Sequence, residues 1–231
     1  MFAKDIMTLN VITVGPDTPI NEIAKLLIER RISAAPVVDE GNILIGIVSE
    51  GDLVHRIRGD HELPRSWWLS LIGDPNDEPQ EYIRSHGKTA KDVMTKDVET
   101  ISEFTSISEI AETLEAKKIK RVPVVDDGKL VGIVSRANLI QALVAHKETG
   151  LPKTSTSDQE IRETLMTEFN NHAWATNATL NVVVNDGVVR YWGFVESEVA
   201  KEALQLAAEN VPGVVSVESN LGISAAPTDY I

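Results

Sequence analysis

The sequence contains no cysteine, which excludes disulfide bonds, metal sites with thiolate ligands and a cysteine nucleophile. It has no run of about 18 apolar residues, so no segment is expected to cross a membrane as a helix. The first ten residues, MFAKDIMTLN, lack a basic stretch followed by an apolar one, and no signal peptide is predicted. Together these absences predict a cytoplasmic location.

Residues that carry chemistry are equally scarce. The five histidines, at positions 55, 61, 86, 146 and 172, occur singly, so no metal requirement is predicted. The sequence has no P-loop, no G-x-G-x-x-G motif and no Ser-His-Asp arrangement, and we do not expect an enzyme. Lysine and arginine number 22 against 35 aspartates and glutamates, a net charge of −13, which argues against nucleic acid as a partner.

What the chain does contain is an internal repeat. Its 231 residues are 42% hydrophobic, the share of an ordinary folded protein. Residues 3–14, AKDIMTLNVITV, return as residues 90–101, AKDVMTKDVETI. The words PVVD and GIVS also occur in each copy, the second time at 123–126 and 132–135. Two copies are too few for a solenoid and fit a pseudo-twofold pair that packs on itself.

Each copy predicts a mixed α/β unit with the order β-α-β-β-α. In the first copy, Asp17-Thr18-Pro19 marks a helix start, because a capping residue precedes a proline suited to the first turn. Residues 34–38 form a short apolar strand, and residues 39–42 predict a hairpin turn to a return strand at 43–48. A second helix opens after Ser49.

The repeated words resemble those of CBS domains, which occur in tandem pairs. The similarity covers residues 3–54 and 90–142, through the MT near each start, the PVVD word and the G-I-V-S-x-x-D/N segment. It implies an α+β fold in which one pair forms a compact module with two clefts for adenosyl ligands, such as AMP, ADP, ATP or a related compound. The resemblance also implies a homodimer of two such modules. We expect the protein to be bacterial.

The resemblance places one cleft at GIVSEGD, residues 46–52, where a strand ends and a helix N-terminus presents its amides. It assigns Ser49 to a phosphate or ribose oxygen. It assigns Asp52 to both ribose hydroxyls, since a carboxylate can accept two hydrogen bonds at once. The alternative is that Ser49 and Asp52 only cap the helix.

The second cleft differs at one position. The second copy reads GIVSRAN at 132–138, so Ser135 is retained but Asn138 stands where Asp is usual. An amide cannot hold both ribose hydroxyls as a carboxylate does, and removing the charge from a hydrogen bond costs on the order of 1 kcal/mol. We therefore expect unequal sites, with the Asp52 cleft the stronger.

Positive charge for ligand phosphates lies in the second copy, at Lys120, Arg121 and Arg136, whereas the matching positions of the first copy carry no cation. The resemblance implies that the Arg121 position reaches the phosphates of a ligand shared between the copies. The alternative for Lys120 and Arg121 is a solvated charge or a pair with a nearby acid. The other residues that the resemblance places at the ligand are Thr13 and Thr100 opposite the adenosine, and Ala35, Pro36, Val122 and Pro123 around the base.

The connection between the copies is long. Residues 55–89 exceed what a bare connection in a compact pair requires, and they carry Trp67-Trp68, half of the chain's four tryptophans. This apolar pair on a predicted short helix favours burial at a dimer or interdomain contact. The alternative is packing on the exposed face of its own CBS pair.

A third domain with the order α-β-β-α-β follows a linker. Ser157 or Asp158 is expected to cap the first helix. The next helix is expected to carry Val199, Ala203, Leu206 and Ala207 on one face. The D-G-x-V…G-x-V hairpin around residues 185–187 and the V-x-G-V-x-x-V-x-N-x-L ending resemble a BON domain over about residues 158–223.

The resemblance to BON domains implies an association with membranes or phospholipid. Residues 151–231 carry 4 basic and 11 acidic residues, and such a charge disfavours binding to anionic headgroups. We therefore expect contact with an unidentified protein partner or an output role. Trp174, Tyr191 and Trp192 are candidates for exposed aromatic contacts, with core packing as the alternative for at least one of them.

Two functions follow from these resemblances. The first is a non-catalytic regulatory module that senses an adenosyl ligand and transmits binding through the dimer or the BON-like domain. The alternative is an adaptor whose BON-like domain attaches a partner or phospholipid, with nucleotide binding secondary. The expected boundaries are 1–60 and 90–149 for the CBS units, 61–89 for the insert, 150–157 for the linker, 158–225 for the BON-like domain and 226–231 for the tail.

Overall fold

The computed structural model describes residues 1–58, 87–145, 156–176 and 179–223. The predicted Trp67-Trp68 patch, most of the linker and the tail lie outside these residues. No helix in the described ranges is long and apolar enough to span a bilayer. The helices are α1 (Ala3–Ile6), α2 (Ile20–Glu29), α3 (Glu50–Arg58), α4 (Ala90–Val93), α5 (Ile107–Ala116), α6 (Arg136–Ala145), α7 (Asp158–Asn170), α8 (Ala173–Thr176) and α9 (Glu198–Glu209). The strands are β1 (Ala34–Val38), β2 (Leu44–Ser49), β3 (Arg121–Asp126), β4 (Lys129–Ser135), β5 (Thr179–Asn185), β6 (Val188–Val195) and β7 (Ser216–Ile223).

The chain divides into two compact units that do not follow the order of the repeat. The first-copy unit consists of Val11–Glu99 with Asp127–Leu130. The second-copy unit consists of Met1–Asn10, Thr100–Asp126 and the described residues from Val131 onward. The segment in front of each copy therefore belongs to the unit built on the other copy.

The first-copy unit is built on the antiparallel hairpin of β1 and β2, which confirms the predicted pair of strands. The turn is held by Asp39, whose Oδ1 accepts hydrogen bonds from the amides of Gly41 and Ile43, each at 2.9 Å. Asn42 adopts a φ of 62°, a left-handed conformation that asparagine tolerates. Val14 adds one parallel bridge to β1, so the first strand of the predicted order is here a single bridge.

The helix that follows this bridge starts where the sequence predicts, but with a different cap. Pro19 occupies the N-cap of α2 itself rather than its first turn, and no side chain caps the helix. The equivalent helix α5 has a capping box instead, in which Ser106 accepts from the Glu109 amide and the Glu109 carboxylate accepts from the Ser106 amide. These hydrogen bonds from Ser106 lower the pKa of the Glu109 carboxyl.

Each short helix in front of a copy packs into the core of the other unit. Ala90 and Val93 of α4 are buried with Ile23 of α2 in the first-copy unit. Ala3 and Ile6 of α1 are buried with α5, β3 and β4 in the second-copy unit. The repeated AKD-(I/V)-MT word therefore performs the same packing role twice, each time away from its own copy.

In each of these contacts, a methionine side chain packs directly against a glycine of the return strand. A β-carbon on Gly46 would lie well inside van der Waals contact with Sδ of Met94, and one on Gly132 would meet Sδ of Met7 in the same way. Both glycines are buried. The missing side chain at these two positions is what lets the methionine approach the strand backbone.

The BON-like part of the second-copy unit is a three-stranded sheet in the order β5-β6-β7. Strands β5 and β6 are antiparallel, and β6 and β7 are parallel. Asp186 and Gly187 form the predicted turn, with φ of 50° and 74°. Ser157 caps α7, whereas the Asp158 carboxylate accepts from the amides of Asp186 and Gly187 at 2.9 and 2.8 Å, so it ties the helix to the hairpin.

One face of this sheet packs against α7 and α9, in a core that contains Tyr191, Leu165 and Phe169. The predicted apolar face of α9 is not the face that is buried. Val199 and Leu206 are 74% and 59% exposed, because a different apolar face of α9 packs against the sheet. The buried residues of α9 are Ala200, Leu204 and Ala208.

Candidate ligand-binding site

The residues predicted for the first-copy cleft, Ser49 and Asp52, meet where β2 ends and α3 begins. Asp52 Oδ2 accepts hydrogen bonds from the amide of Ser49 at 2.8 Å and from its Oγ at 2.7 Å. The pair therefore caps α3 in the geometry of the alternative interpretation. Within the described residues no hydrogen bond engages Asp52 Oδ1, and the Asp52 side chain is only half-buried, so the same carboxylate can also accept a ligand hydroxyl.

The second-copy cleft repeats this arrangement with one addition. Asn138 Oδ1 accepts from the amide and Oγ of Ser135 at 2.7 and 2.6 Å. Its amide nitrogen, however, donates to the carbonyl of Ile6 at 3.0 Å and to Oγ1 of Thr8 at 3.4 Å. Asn138 is only 4% exposed, so both ends of its side chain are already hydrogen-bonded in this conformation.

The start of each second helix is tied to the strand hairpin beside it. The amide of Glu50 donates to the Ser33 carbonyl at 3.0 Å, and the amide of Arg136 donates to the Lys120 carbonyl at 3.1 Å. In the first-copy unit, Ala34 also lies opposite Ser49 in the register of the sheet. These bonds bring the Ser-x-x-Asp/Asn segment next to the start of β1 or β3.

The predicted threonines lie on the other side of the same strands. Val14, next to Thr13, donates its amide to the Pro36 carbonyl at 3.0 Å, and Ile101, next to Thr100, donates to the Pro123 carbonyl at 3.1 Å. The predicted wall residues, Ala35, Pro36, Val122 and Pro123, are buried. Each unit thus places its own share of the predicted residues on three neighbouring segments: a threonine, a strand start and a helix N-terminus.

The candidate cations differ in their surroundings. Arg136 is exposed, and its Nη2 donates to the Leu114 carbonyl at 3.4 Å. Arg121 is half-buried and has an interaction partner of its own. Lys120 is exposed. Arg136 can therefore contact a phosphate after giving up a single long hydrogen bond.

Sequence reasoning missed the contribution of the N-terminal segment to the second-copy cleft. Ile6 and Thr8 contact Asn138 although 130 or more positions separate them in the chain. The available signal was the repeated AKD-(I/V)-MT word, whose identity in both copies indicates an equal structural role. In the described ranges no group of three or more histidine, aspartate and glutamate residues could hold a metal ion.

Comparison with known proteins confirms the two predicted domain families. Residues 3–59 and 90–145 match the family model of the CBS domain, and residues 157–225 match that of the BON domain. The chain is 35% identical over 143 residues to the CBS domain-containing protein CBSX1, chloroplastic, of Arabidopsis thaliana, a match that covers 59% of this chain and 61% of that protein. It is 36% identical over 157 residues to the uncharacterized protein MJ1426 of Methanocaldococcus jannaschii, covering 62% of this chain and 92% of that protein.

Two solved structures resemble the CBS part of the chain. The structure of CBSX2 in complex with AMP has a TM-score of 0.55 at 30% identity and covers 64% of this chain and 99% of that one. The CBS domain pair of protein MJ0100, in complex with 5-methylthioadenosine and S-adenosyl-L-methionine, has a TM-score of 0.50 at 27% identity and covers 64% and 98%. The chain spans about 60% of the length of CBSX1 and CBSX2 themselves. It belongs to the CBS-domain family, with two tandem CBS domains followed by a C-terminal BON domain.

Proposed function

We propose that this protein is a non-catalytic regulatory module whose CBS domains bind an adenosyl ligand. The observation that carries the proposal is the Ser49–Asp52 pair at the N-terminus of α3, in which one carboxylate oxygen holds the cap and the other has no hydrogen bond among the described residues. The complexes of CBSX2 with AMP and of the MJ0100 domain pair with adenosyl compounds support it.

The chemistry of the first-copy cleft fits a ribose. Asp52 accepts one or both ribose hydroxyls, and the charge of the carboxylate strengthens these hydrogen bonds. The Ser49 hydroxyl and the amides at the start of α3 suit a further oxygen of the ligand. Thr13 is proposed to contact the adenosine, and its position next to Val14, which is bridged to β1, supports this role.

The charge distribution bears on which adenosyl compound binds. The first-copy unit has Ser33 and Glu50 where the second-copy unit has Lys120 and Arg136. Repulsion from Glu50 disfavours a highly charged phosphate chain at the first-copy site. AMP or S-adenosyl-L-methionine therefore fits that site better than ATP does, and Arg121 and Arg136 make the second-copy site the better one for phosphate.

The module is proposed to act as a cytoplasmic homodimer. Among the described residues, α6 exposes Ile140, Leu143 and Val144, the last two at 76% and 56%, and such an apolar cluster is commonly covered by a partner. Leu143→Glu is expected to convert a dimer into a monomer in light scattering after size exclusion. An unchanged mass would remove this face as the dimer contact.

The test of ligand binding starts with ligand-stripped protein. The chain is unfolded, dialysed and refolded, and its melting temperature is measured with AMP, ADP, ATP and S-adenosyl-L-methionine. Binding to the folded state alone raises the melting temperature, by an amount that grows with the logarithm of the ligand concentration divided by the dissociation constant. The proposal predicts a rise with at least one of these compounds, and small molecules released from freshly purified protein should include it by mass spectrometry.

One observation favours a second function as an adaptor. Val199 and Leu206, seven residues apart and therefore on one face of α9, are largely exposed. A partner protein or phospholipid could contact the BON-like domain there. Co-sedimentation with vesicles of phosphatidylcholine alone and with added phosphatidylglycerol tests the lipid form, and we expect no binding to the anionic vesicles because of the acidic charge.

A further inference from the structure

The β5 side of the second face of the BON-like sheet is covered by the second CBS copy and the N-terminal helix α1 of the same unit. Strand β5 packs against α6 and α1 as well as against its own helix α7. Asn181 of β5 donates to Gln141 Oε1 of α6 at 2.6 Å. Val183, two residues further and on the same face, is fully buried although it is not part of the BON-like core. A sheet face that would otherwise meet solvent is therefore an interface within the chain.

Two buried arginines complete this interface. Arg190, 5% exposed, donates from Nη1 to the Ala145 carbonyl at the end of α6, at 3.3 Å, and pairs with Glu218. Arg162, 8% exposed, donates from Nε to the Val182 carbonyl at 3.1 Å and from Nη2 to the Met7 carbonyl at 2.9 Å. Burying a guanidinium is unfavourable unless its N–H groups are hydrogen-bonded, so Arg162 fits only when Met7 is in place.

The residues around Met7 are held from the other side by the ligand-binding cleft. We define Ile6–Thr8 as the strap. The Ile6 carbonyl accepts from Asn138, and Thr8 exchanges two main-chain hydrogen bonds with Ile133, each of 3.0 Å. The strap therefore lies between Asn138 and Arg162. Its Ile6 carbonyl accepts a hydrogen bond from Asn138, and its Met7 carbonyl accepts one from Arg162.

We propose that the strap couples the second-copy cleft to the docking of the BON-like domain. A ligand hydroxyl that takes the Asn138 side chain replaces its bond to the Ile6 carbonyl. Once this bond is lost, the Met7 carbonyl is positioned less firmly for Arg162. The contact between the BON-like domain and the second CBS copy then weakens. The ligand part of this coupling rests on the proposed function, whereas the link from Asn138 to docking does not.

The first-copy cleft is built without this link. Asp52 carries no amide nitrogen, so it cannot donate to a main-chain carbonyl as Asn138 does. The asparagine in the second copy is therefore not only a weaker ligand residue but the donor that ties the cleft to the strap. In this proposal both sites can bind a ligand, but only binding at the second-copy site is connected to the third domain.

The absence of cysteine from the chain gives a direct test of docking. Val183→Cys places a thiol at the interface, and Val182→Cys places one in the BON-like core, which opens only when the domain unfolds. Both are introduced in the full chain, and their labelling by a maleimide is followed by mass spectrometry. Docking predicts slow labelling at position 183 in the unaltered background. Labelling of the thiol at position 183 as fast as that of a denatured sample would overturn the inference.

The strap is tested without any ligand by adding Asn138→Asp. A carboxylate keeps the hydrogen bonds from Ser135 and so preserves the cap, but it cannot donate to Ile6. Labelling at position 183 should accelerate about fivefold, the effect of one ordinary hydrogen bond on an opening equilibrium, while labelling at position 182 stays unchanged. Arg162→Lys, which cannot reach both carbonyls, should act in the same way. Unchanged labelling at position 183 in both backgrounds overturns the coupling.

The ligand arm uses AMP and S-adenosyl-L-methionine as probes, with binding measured separately by calorimetry. Occupancy of the second-copy cleft should accelerate labelling of the Val183→Cys variant and have little further effect once Asn138→Asp is added. Binding at that cleft with no change in labelling contradicts the ligand part of the inference and leaves the proposed function intact. If neither probe binds, the proposed function fails, and the Asn138→Asp comparison still decides the coupling.

Discussion

Asp52 and Asn138 occupy equivalent positions in the two CBS copies, yet only Asn138 donates a hydrogen bond to the N-terminal segment. Both side chains accept from the serine three residues earlier, at 2.6 to 2.8 Å. The amide of Asn138 then reaches the Ile6 carbonyl at 3.0 Å. The difference between a carboxylate and an amide therefore has a structural consequence. Asp52 can accept a ligand hydroxyl, whereas Asn138 also holds the N-terminal segment through its amide.

Asn138→Asp is expected to strengthen ligand binding at the second-copy cleft. The new carboxylate retains both bonds from Ser135, releases Ile6 and offers a charged acceptor to a ribose, which should improve affinity for AMP by about tenfold. Calorimetry in an Asp52→Asn background, in which the first-copy site is weakened, resolves binding at this site. Asn220→Asp, an exposed position in the same unit, controls for the added charge, and an affinity that stays level or falls would speak against the ribose role of position 138.

Alanine at Gly46 or Gly132 should destabilise the fold. The added methyl group would overlap Met94 or Met7. Accommodating such overpacking typically lowers the free energy of unfolding by about 1–3 kcal/mol. We expect the larger loss at Gly132, because Met7 is 4% exposed and its carbonyl is held by Arg162. Urea denaturation measures both variants.

Gly51 supplies the control for that comparison. It lies in α3, where the nearest atom to an added β-carbon is Ser49 Oγ at an ordinary 3.5 Å. Alanine there should be neutral or stabilising by roughly 0.5–1 kcal/mol, since glycine is a poor helix former. If Gly132→Ala matched Gly51→Ala in stability, the close methionine contact would have no energetic importance.

A double-mutant cycle on Arg190 and Glu218 should show a favourable coupling. Nε and Nη2 of Arg190 donate to the two carboxylate oxygens of Glu218 at 2.8 and 3.1 Å, and the arginine side chain is 7% exposed against 53% for the glutamate. We expect about 1 kcal/mol, because the exposed carboxylate is partly screened. The Lys25–Glu29 pair, whose cation is 74% exposed, is the comparison and should give less than half as much. Equal coupling for the two pairs would mean that burial adds nothing.

Tyr191 should give the BON-like domain a stability that falls at alkaline pH. Burial raises the pKa of its phenol, so the unfolded chain ionises at about pH 10 while the folded state retains the proton, and stability declines as pH rises. Arg162 acts in the opposite direction, because burial lowers its pKa to about 10. The two contributions are separable by substitution.

Tyr191→Phe removes only the tyrosine contribution. Near neutral pH the variant should be less stable by about 1 kcal/mol, since the hydroxyl loses its bond to the Leu204 carbonyl at 3.2 Å. Above about pH 10 that difference should shrink. Denaturation curves at both pH values provide the check, and a constant difference would show that Tyr191 does not titrate with folding.

Local signals made much of this fold predictable. The hairpin turns at Asp39 and at Asp186-Gly187 follow from residues that tolerate the required backbone, and the strands around them carry short apolar runs. The serine three residues before Asp52 likewise marked a strand-to-helix junction. Each of these features depends on a few neighbouring residues, which the sequence displays directly.

The features that depend on distant packing were not predictable in this way. Helix α9 has two apolar stripes of the same period, one through Val199 and Leu206 and one through Leu204, and the stripe that faces the sheet depends on tertiary structure. Each short helix packs in the unit built on the other copy. The sequence does not reveal this exchange, because both copies begin with the same AKD-(I/V)-MT segment. Arg162 and Arg190 resemble surface charges in the sequence, and only the packing of β5 on α6 and α1 makes them interior residues.

Adenosyl-ligand binding through Asp52 can be measured by calorimetry on ligand-stripped protein. AMP and S-adenosyl-L-methionine are titrated into the wild type, Asp52→Asn and the exposed control Asp97→Asn. We expect saturable binding to the wild type and to Asp97→Asn. At the first-copy site of Asp52→Asn, binding should be about tenfold weaker, the loss expected when a hydrogen bond gives up its charge. No binding of either compound to the wild type, or equal binding by the wild type and Asp52→Asn, would contradict it.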